Sequence, residues 1–266
     1  MGLEQALFKR TELLLGAENM SVIGRARVIL FGVGGVGSWC AESLVRSGIR
    51  QLTIVDSDRV CITNVNRQLQ ATTKTVGQVK VEALKTRLHD INPEAAITAV
   101  QAVYDVDTSS RFELQDYDVI IDAIDSLTNK IHLIRAATRT DACFVSSMGA
   151  ALKIDPARVR VAEFWQVEGC PLGAIIRKKI RKGELPAKKF LCVYSDERLD
   201  NLGADTVCGT ERCFCPKDFK HGQTALDNHE WCSQKAQING AMVHITAIFG
   251  FTLAGLVMQH LCRLKD

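Results

Sequence analysis

The chain has 266 residues, 47% hydrophobic and 24% charged, with 33 Lys and Arg against 30 Asp and Glu for a net charge of +3. That balance describes a globular protein with a sizeable core; it excludes a disordered polyelectrolyte and a nucleic-acid binder that works by bulk charge. Ten cysteines over this length fall short of a disulfide-stapled scaffold.

The N-terminal stretch "MGLEQALFKRTELLLG" is charged and amphipathic and lacks the apolar core of a secretory signal, so a reducing, cytoplasmic setting is expected. Gly2 is not read as a lipidation site, because Ala6 stands where that motif takes Ser or Thr. Residues 1–26 predict one or two helices with leucines on one face and Gly16 as a stop. "RVILFG" (27–32) predicts a buried strand and residues 38–48 a helix ended by Gly48. A strand over 51–58 leads through the irregular "RVCITNVNRQ" to a helix over 76–92 that stops before Pro93. "AAITAVQA" and "YDVIIDAID" (117–125) predict two further strands, "SLTNKIHLIRAATRTD" a helix, and "CFVSSMGA" and "ARVRVAEF" two more strands.

Strands alternating with helices imply an α/β fold of Rossmann-like kind, a mostly parallel sheet with helices on both faces. We expect this core over residues 1–165, with its N-terminal helices, and an irregular C-terminal extension over 166–266. Within the extension, seven Lys or Arg and one Glu fall between Arg177 and Lys189. Residues 192–232 carry five cysteines and little periodicity, and predict a long loop. Residues 236–262 contain no Asp, Glu, Lys or Arg and are long enough to cross a bilayer. Asn239, His244, His260 and three glycines favour instead a helix buried on the sheet or across a dimer seam, with membrane attachment as the alternative.

The chemistry starts at "ILFGVGGVGSWCAESL" (29–44). Gly32, Gly34 and Gly37 meet the dinucleotide fingerprint, and Asp56 ends the next strand where a ribose-binding acid belongs. Taken alone, this pattern suits a nicotinamide enzyme. Asn64, Arg67, Lys80 and Asp125 change the reading, because strand ends of a parallel sheet gather their side chains around the glycine loop. Hydride transfer has no use for an arginine and a lysine aimed at phosphates. Phosphoryl or nucleotidyl transfer does, since its leaving group gains charge that fixed cations balance. A carboxylate such as Asp125 can hold a magnesium ion there. The site is read as one that consumes its nucleotide.

"GVGGVGSW", "DSDRVCITNVNRQ", "VGQVKVE", "INPE" and "DAIDS" resemble the ThiF/MoeB/HesA superfamily, ATP-using relatives of ubiquitin-activating enzymes. The resemblance implies that a substrate carboxylate attacks ATP, with Arg67 and Lys80 on the phosphates, Asp56 on the ribose and Asp125 on magnesium. The candidate nucleotide set is Gly32, Gly34, Gly35, Gly37, Asp56, Asp58, Asn64, Arg67, Lys80 and Asp125. Arg10, six residues before Gly16, matches an arginine that some relatives insert into the partner subunit's site, which implies a homodimer.

Members that activate sulfur-carrier proteins often bear two Cys-x-x-Cys pairs; this chain has none. Over nearly its whole length it is more similar to the tRNA threonylcarbamoyladenosine dehydratases, including "SSMGAALKIDPARVRVAE", "PLGAIIRKKIRK" and "NGAMVHITAIFGF". The implied reaction activates the threonyl carboxylate of a modified adenosine beside the tRNA anticodon, after which the carbamoyl group closes a ring with loss of water. Arg177, Lys178, Lys179, Arg181 and Lys182 are then the expected contacts to the tRNA backbone. The alternative is an adenylyltransferase that activates the C-terminal glycine of a sulfur-carrier protein, and a third reading is a dinucleotide-binding module without chemistry. Cys208, Cys213, Cys215 and Cys232, with His221 or His229 in reserve, leave open a zinc site, reduced thiols in a loop, or a sulfur-relay or thioester nucleophile, with Cys232 the first candidate and a cysteine-desulfurase or sulfur-acceptor protein as the partner.

Overall fold

The computed structural model describes residues 6–203 and 239–262. Helix α1 (Lys9–Arg25) is broken at Gly16, whose φ of 81° and ψ of 159° are not helical. Strand β1 (Arg27–Phe31) leads into α2 (Gly37–Arg46), then β2 (Gln51–Val55), α3 (Lys80–Ile91), β3 (Ala96–Val100) and β4 (Val119–Asp122). Helix α4 (Leu127–Thr138), β5 (Cys143–Ser147), β6 (Val159–Glu163), α5 (Pro171–Ile180), β7 (Leu191–Ser195) and α6 (Val243–Cys262) follow.

The seven strands form one sheet in the order β3-β2-β1-β4-β5-β7-β6. All pairs are parallel except β6 with β7. Alternation along β1 explains the two layers. Val28 and Leu30 face a cluster closed by Leu44 of α2, Leu84 of α3 and Phe249 of α6. Ile29 and Phe31 face the opposite cluster, with Ile134 of α4 and Ile176 of α5. A parallel sheet covered on both faces needs such continuous apolar strands. Chain order reverses between β1 and β4, and at that switch point Phe31 lies opposite Asp122. A crevice at the carboxyl ends of these strands is where such sheets bind ligands.

Two boundaries differ from expectation for physical reasons. Helix α3 starts at Lys80 rather than near residue 76, because residues 77–79 pair backward. Gly77 donates its N–H to Val60, Gln78 accepts from Val60, and Val79 bridges Arg59. Strand β7 begins inside the stretch read as basic run and loop; Cys192 lies on it, fully buried.

The apolar segment forms α6, which packs on α2 through Ile245, Phe249, Leu253 and Val257, a four-residue repeat that sets one stripe against the core. Gly250 permits the approach: a Cβ there would lie 2.5 Å from the Val36 carbonyl oxygen. Trp39 meets Phe251 edge-on at 5.8 Å between ring centroids. By length and composition α6 is long and apolar enough to cross a membrane, yet half of its most apolar stretch is buried within the protein.

Candidate functional site

Beyond β1 the chain turns through the glycine loop into α2. Gly32 has φ +86°, and a Cβ on it would stand 2.6 Å from the Ala123 carbonyl oxygen. At Gly37 a Cβ would stand 1.8 Å from the Gly32 carbonyl oxygen. Backbone packing between β1, β4 and α2 therefore demands glycine at both positions, whereas Gly34 and Gly35 face the cavity. No side chain caps α2, and uncapped amides of a first helical turn are donors for an anion.

Asp56 secures this loop to the end of β2. One of its oxygens accepts the Val33 N–H at 2.8 Å and the other the Asp58 N–H at 2.9 Å, and each oxygen retains a lone pair for a further donor. Lys80, the first residue of α3, is buried with its ammonium 2.6 Å from Asp58. Burial works against that ammonium, but the carboxylates of Asp56, Asp58 and Asp125 outweigh it and hold its pKa above the ordinary value. For Asp58 burial pushes the carboxyl up; Lys80 opposes the rise, while Asp56 and Asp125 add to it. Asp56, Asp58 and Asp125 thus face Lys80 together, and a carboxylate is the kind of oxygen ligand a divalent cation takes.

The turn after β2 brings in the second cation. Asn64 is buried, and its side-chain oxygen accepts the Cys61 N–H at 2.9 Å to close the 3₁₀ turn Ile62–Asn64. Arg67 lines the cavity with its guanidinium donating to the Thr63 carbonyl (2.8 Å) and to Asn66 Oδ1 (2.9 Å). Its main-chain oxygen accepts from the Trp39 indole at 3.1 Å, and Gln70 donates to the Val33 carbonyl at 2.8 Å. These bonds lock the turn to the glycine loop and α2. Arg59, to which the sequence reading assigned no role, also lines the cavity.

Asp125 follows β4 on a loop gripped from beneath. Asp122 and Lys130 are both fully buried, with the Lys130 ammonium 2.8 Å from the carboxylate. Lys130 also donates to the Ile124 carbonyl (2.9 Å), Asp122 accepts the Ile124 N–H (3.0 Å), and Ser146 Oγ donates to Asp122 at 2.6 Å. Both backbone groups of the residue before Asp125 are thus fixed by a buried ion pair. Sequence reasoning missed Lys130; the available signal was a lysine within the apolar pattern of α4, beside Ile131 and Ile134.

The whole cavity holds about 950 Å³, at the top of the roughly 300–1,000 Å³ range for one small-molecule site. Its second side is built from Met148–Lys153, the start of α5, residues 197–199 and the approach to α6. Leu152 adopts φ +59°, a left-handed conformation that costs a leucine energy; its N–H donates to the Gly240 carbonyl and its own carbonyl accepts the Leu199 N–H. Glu197 accepts the Ile154 and Asp155 amides at 2.8 and 3.0 Å, and Lys153 donates to the Glu197 carbonyl at 2.5 Å.

Nine of the ten expected nucleotide residues line this one cavity: Gly32, Gly34, Gly35, Asp56, Asp58, Asn64, Arg67, Lys80 and Asp125. Gly37 lies behind it. Arg10 is exposed on α1 and does not line its own chain's cavity. Of the basic run, Lys178, Lys179, Arg181 and Lys182 are exposed. Arg177 is drawn inward to the Phe164 carbonyl at 3.3 Å, and Lys188 inward to the carbonyls of Thr140 and Ala142. Among the described residues no group of three or more His, Cys, Asp or Glu is placed to hold a metal. Cys208, Cys213, Cys215, Cys232, His221 and His229 lie outside the described residues.

The ThiF family model matches residues 8–264. The chain is 42% identical over 190 residues to the tRNA threonylcarbamoyladenosine dehydratase of Bacillus subtilis, covering 71% of this chain and 74% of that protein. It is 33% identical over 261 residues to the tRNA threonylcarbamoyladenosine dehydratase of Escherichia coli, covering 92% and 89%. The crystal structure of the E. coli tRNA N6-threonylcarbamoyladenosine dehydratase in complex with ATP superposes with a TM-score of 0.79 at 29% identity, covering 97% of this chain and 94% of that one.

Proposed function

Because the chain belongs to the ThiF family over residues 8–264, we propose that it is an ATP-dependent enzyme that dehydrates threonylcarbamoyladenosine in tRNA. The observation that carries this reading is the convergence of Lys80, Arg67 and three carboxylates on the glycine loop, inside one cavity that continues past them to the start of α5. The relatives whose names state this activity span nearly the whole chain.

A carboxylate is a poor electrophile at neutral pH. In the proposed sequence, the threonyl carboxylate oxygen displaces a phosphate leaving group from ATP. The carboxyl oxygen then carries the phosphoryl or adenylyl group taken from ATP. The carbamoyl group attacks the activated carbonyl and loses a proton, the ring closes, and that oxygen departs with the transferred group as phosphate or AMP, for a net loss of one water from the nucleoside. Lys80 and Arg67 stabilise charge on the departing group, Asp56 accepts the ribose hydroxyls, and the Gly34–Gly35 amides with the open end of α2 receive the phosphates. Holding both reactants in one cavity makes the first attack and the ring closure effectively unimolecular.

Asp125 would hold Mg²⁺, which when bound neutralises phosphate charge; its carboxylate, close enough to act on Lys80, supports that assignment. The exposed cations at the end of α5 receive the tRNA backbone near its anticodon loop, which makes tRNA binding salt-dependent. Arg10 completes the cavity of a second copy of the chain, so the active form is a homodimer, and the protein acts in the cytoplasm. Sulfur transfer to or from the cysteines at 208–232 is a further proposal supported by their number alone.

The deciding experiment incubates the protein with ATP, Mg²⁺ and tRNA from a strain lacking it, then digests the tRNA and weighs its nucleosides. The expected result is threonylcarbamoyladenosine lighter by one water, with nucleotide consumed in equal amount. Unchanged nucleosides, with pyrophosphate exchange appearing only on adding a sulfur-carrier protein, would overturn the proposal.

A further inference from the structure

Helix α5 joins two surfaces. Pro171, Leu172 and Ile175 near its start line the cavity, while Lys178 and Lys179 in its last turn continue into Arg181 and Lys182 on an exposed face. Beside that basic end stands Trp165, 36% exposed, on the 3₁₀ turn Phe164–Gln166 that precedes the helix. The guanidinium carbon of Arg181 lies over the indole, 5.4 Å from its centroid.

The turn beneath is rigid. Phe164 is fully buried, stacks on Phe190 at 4.9 Å with 19° between planes, and meets Trp165 edge-on at 5.0 Å. The Trp165 main-chain N–H donates to the Glu163 carboxylate at 2.9 Å, and the Phe164 carbonyl accepts from Arg177. A lone exposed tryptophan needs no explanation. An indole held on a stiff turn, with a guanidinium carbon 5.4 Å from its centroid and lysines alongside, combines the three parts by which proteins grip single-stranded nucleic acid: a π-face, a planar cation and backbone charge balance.

Building on the tRNA reading above, we propose that Trp165 and Arg181 form a stacking ledge for one unpaired base of the tRNA whose modified adenosine occupies the cavity. Nine residues of rise separate Leu172 from Arg181, about 14 Å along a helix. Stacked bases advance about 3.4 Å each, so the ledge takes a base roughly two to four nucleotides from the reacting one, depending on how far the strand is extended. An acidic peptide would use the lysines but gains little from the indole, and a second copy of the chain would bury Trp165 without any nucleic acid.

The test compares W165L, which keeps apolar volume without a π-face, with W165F and with K178A/K179A/K182A. Loss of one base–aromatic stack should raise the KM for tRNA on the order of ten- to a hundredfold in W165L, with kcat and the KM for ATP unchanged and W165F intermediate. Indole fluorescence should be quenched by tRNA in the native protein and less so in W165F. A tRNA made abasic at one loop position should weaken native binding and add nothing in W165L. Native tRNA affinity in W165L, with weakened binding and a flatter salt dependence in the lysine variant, would overturn the ledge and leave the basic surface standing. Unchanged tRNA kinetics in both would remove the whole surface from tRNA binding, without touching the dehydration measured for the native protein. A changed oligomeric state in W165L at unchanged tRNA affinity would assign Trp165 to a contact between copies and overturn the ledge as well. Failure of the native protein to dehydrate the tRNA would instead sink the reading on which the ledge rests.

Discussion

The two sides of the cavity are built on opposite plans. The nucleotide side is dense in charge, with Lys80 buried against Asp58 and the Asp125 loop clamped by a buried ion pair. Its residues follow strand ends within one stretch, from Gly32 to Asp125. The acceptor side is assembled from four separate stretches, held by backbone hydrogen bonds, a left-handed leucine and Glu197. ATP is the same molecule in every turnover, so its charges can be met by groups fixed in advance, which is where electrostatic catalysis is strongest. On the proposed reading the partner across the cavity is a macromolecule whose position is set mostly outside it, and that side, although Lys153, Glu197 and Arg198 line it, is held by backbone contacts more than by a buried ion pair.

If that contrast is right, breaking the buried pair under the Asp125 loop should have the largest effect. Replacing Lys130 with Met strands a fully buried Asp122, and loss of one partner of such a pair costs about 3–5 kcal/mol, or roughly 6–20 °C in melting temperature for a chain of this size. The double variant D122N/K130M should recover much of that stability, followed by thermal denaturation. It should not recover kcat, because the Ile124 carbonyl has then lost its donor. Full activity in the double variant would show that the clamp serves folding alone.

Next in size is Lys80→Met. Removing one charge-stabilising donor typically lowers kcat about 100- to 1,000-fold, or about 2.7–4 kcal/mol, whereas a residue serving binding alone would change KM. Measured against ATP, the fall should be in kcat. The raised Lys80 pKa adds a sign: its contribution to stability is complete below its ordinary value of 10.5 and disappears only as pH rises through the higher folded value. Stability between pH 6 and 9 should therefore show no slope from this residue.

The same contrast governs what could be read without a structure. The glycine loop, Asp56, Asn64, Arg67, Lys80 and Asp125 were legible because spacing along a βαβ unit converts directly into place at a sheet edge. Lys130 was not, since its importance comes from burial against Asp122, and a lysine in a helix pattern is usually solvated. Strand β7 was hidden because its five residues, four of them inside the cysteine-rich stretch, carry too little periodicity; its pairing with β5 and β6 is tertiary. The acceptor side had no motif at all, as Leu152 and Glu197 act through conformation and backbone contacts.

Helix α6, which carries Thr246 to the cavity, supplies a smaller effect with opposite signs at neighbouring glycines. Gly250→Ala pushes a methyl into the Val36 carbonyl and the Cys40 amide of α2, and overpacking of this kind costs about 1–3 kcal/mol. Gly255 has open space around its Cβ position, so Gly255→Ala should stabilise by up to about 1 kcal/mol through helix propensity. Equal effects in urea denaturation would mean that α6 is not seated on α2 as described.

The smallest expected effect probes the acceptor side itself. The Asp155 amide, and then that of Ile154, hold the Glu197 carboxyl below its ordinary value of 4.5. A depressed folded pKa stabilises the protein above the unfolded value, and that contribution is lost as pH falls through the folded one. The native protein should therefore lose stability below about pH 4.5 with a component that Glu197→Gln removes, seen as a shallower acid slope in thermal melts between pH 6 and 3.5. At neutral pH the same variant should raise the KM for tRNA more than the KM for ATP, because the 148–155 segment borders only the acceptor side. If ATP and tRNA parameters move together, the two sides are one mechanical unit and the division drawn between them fails.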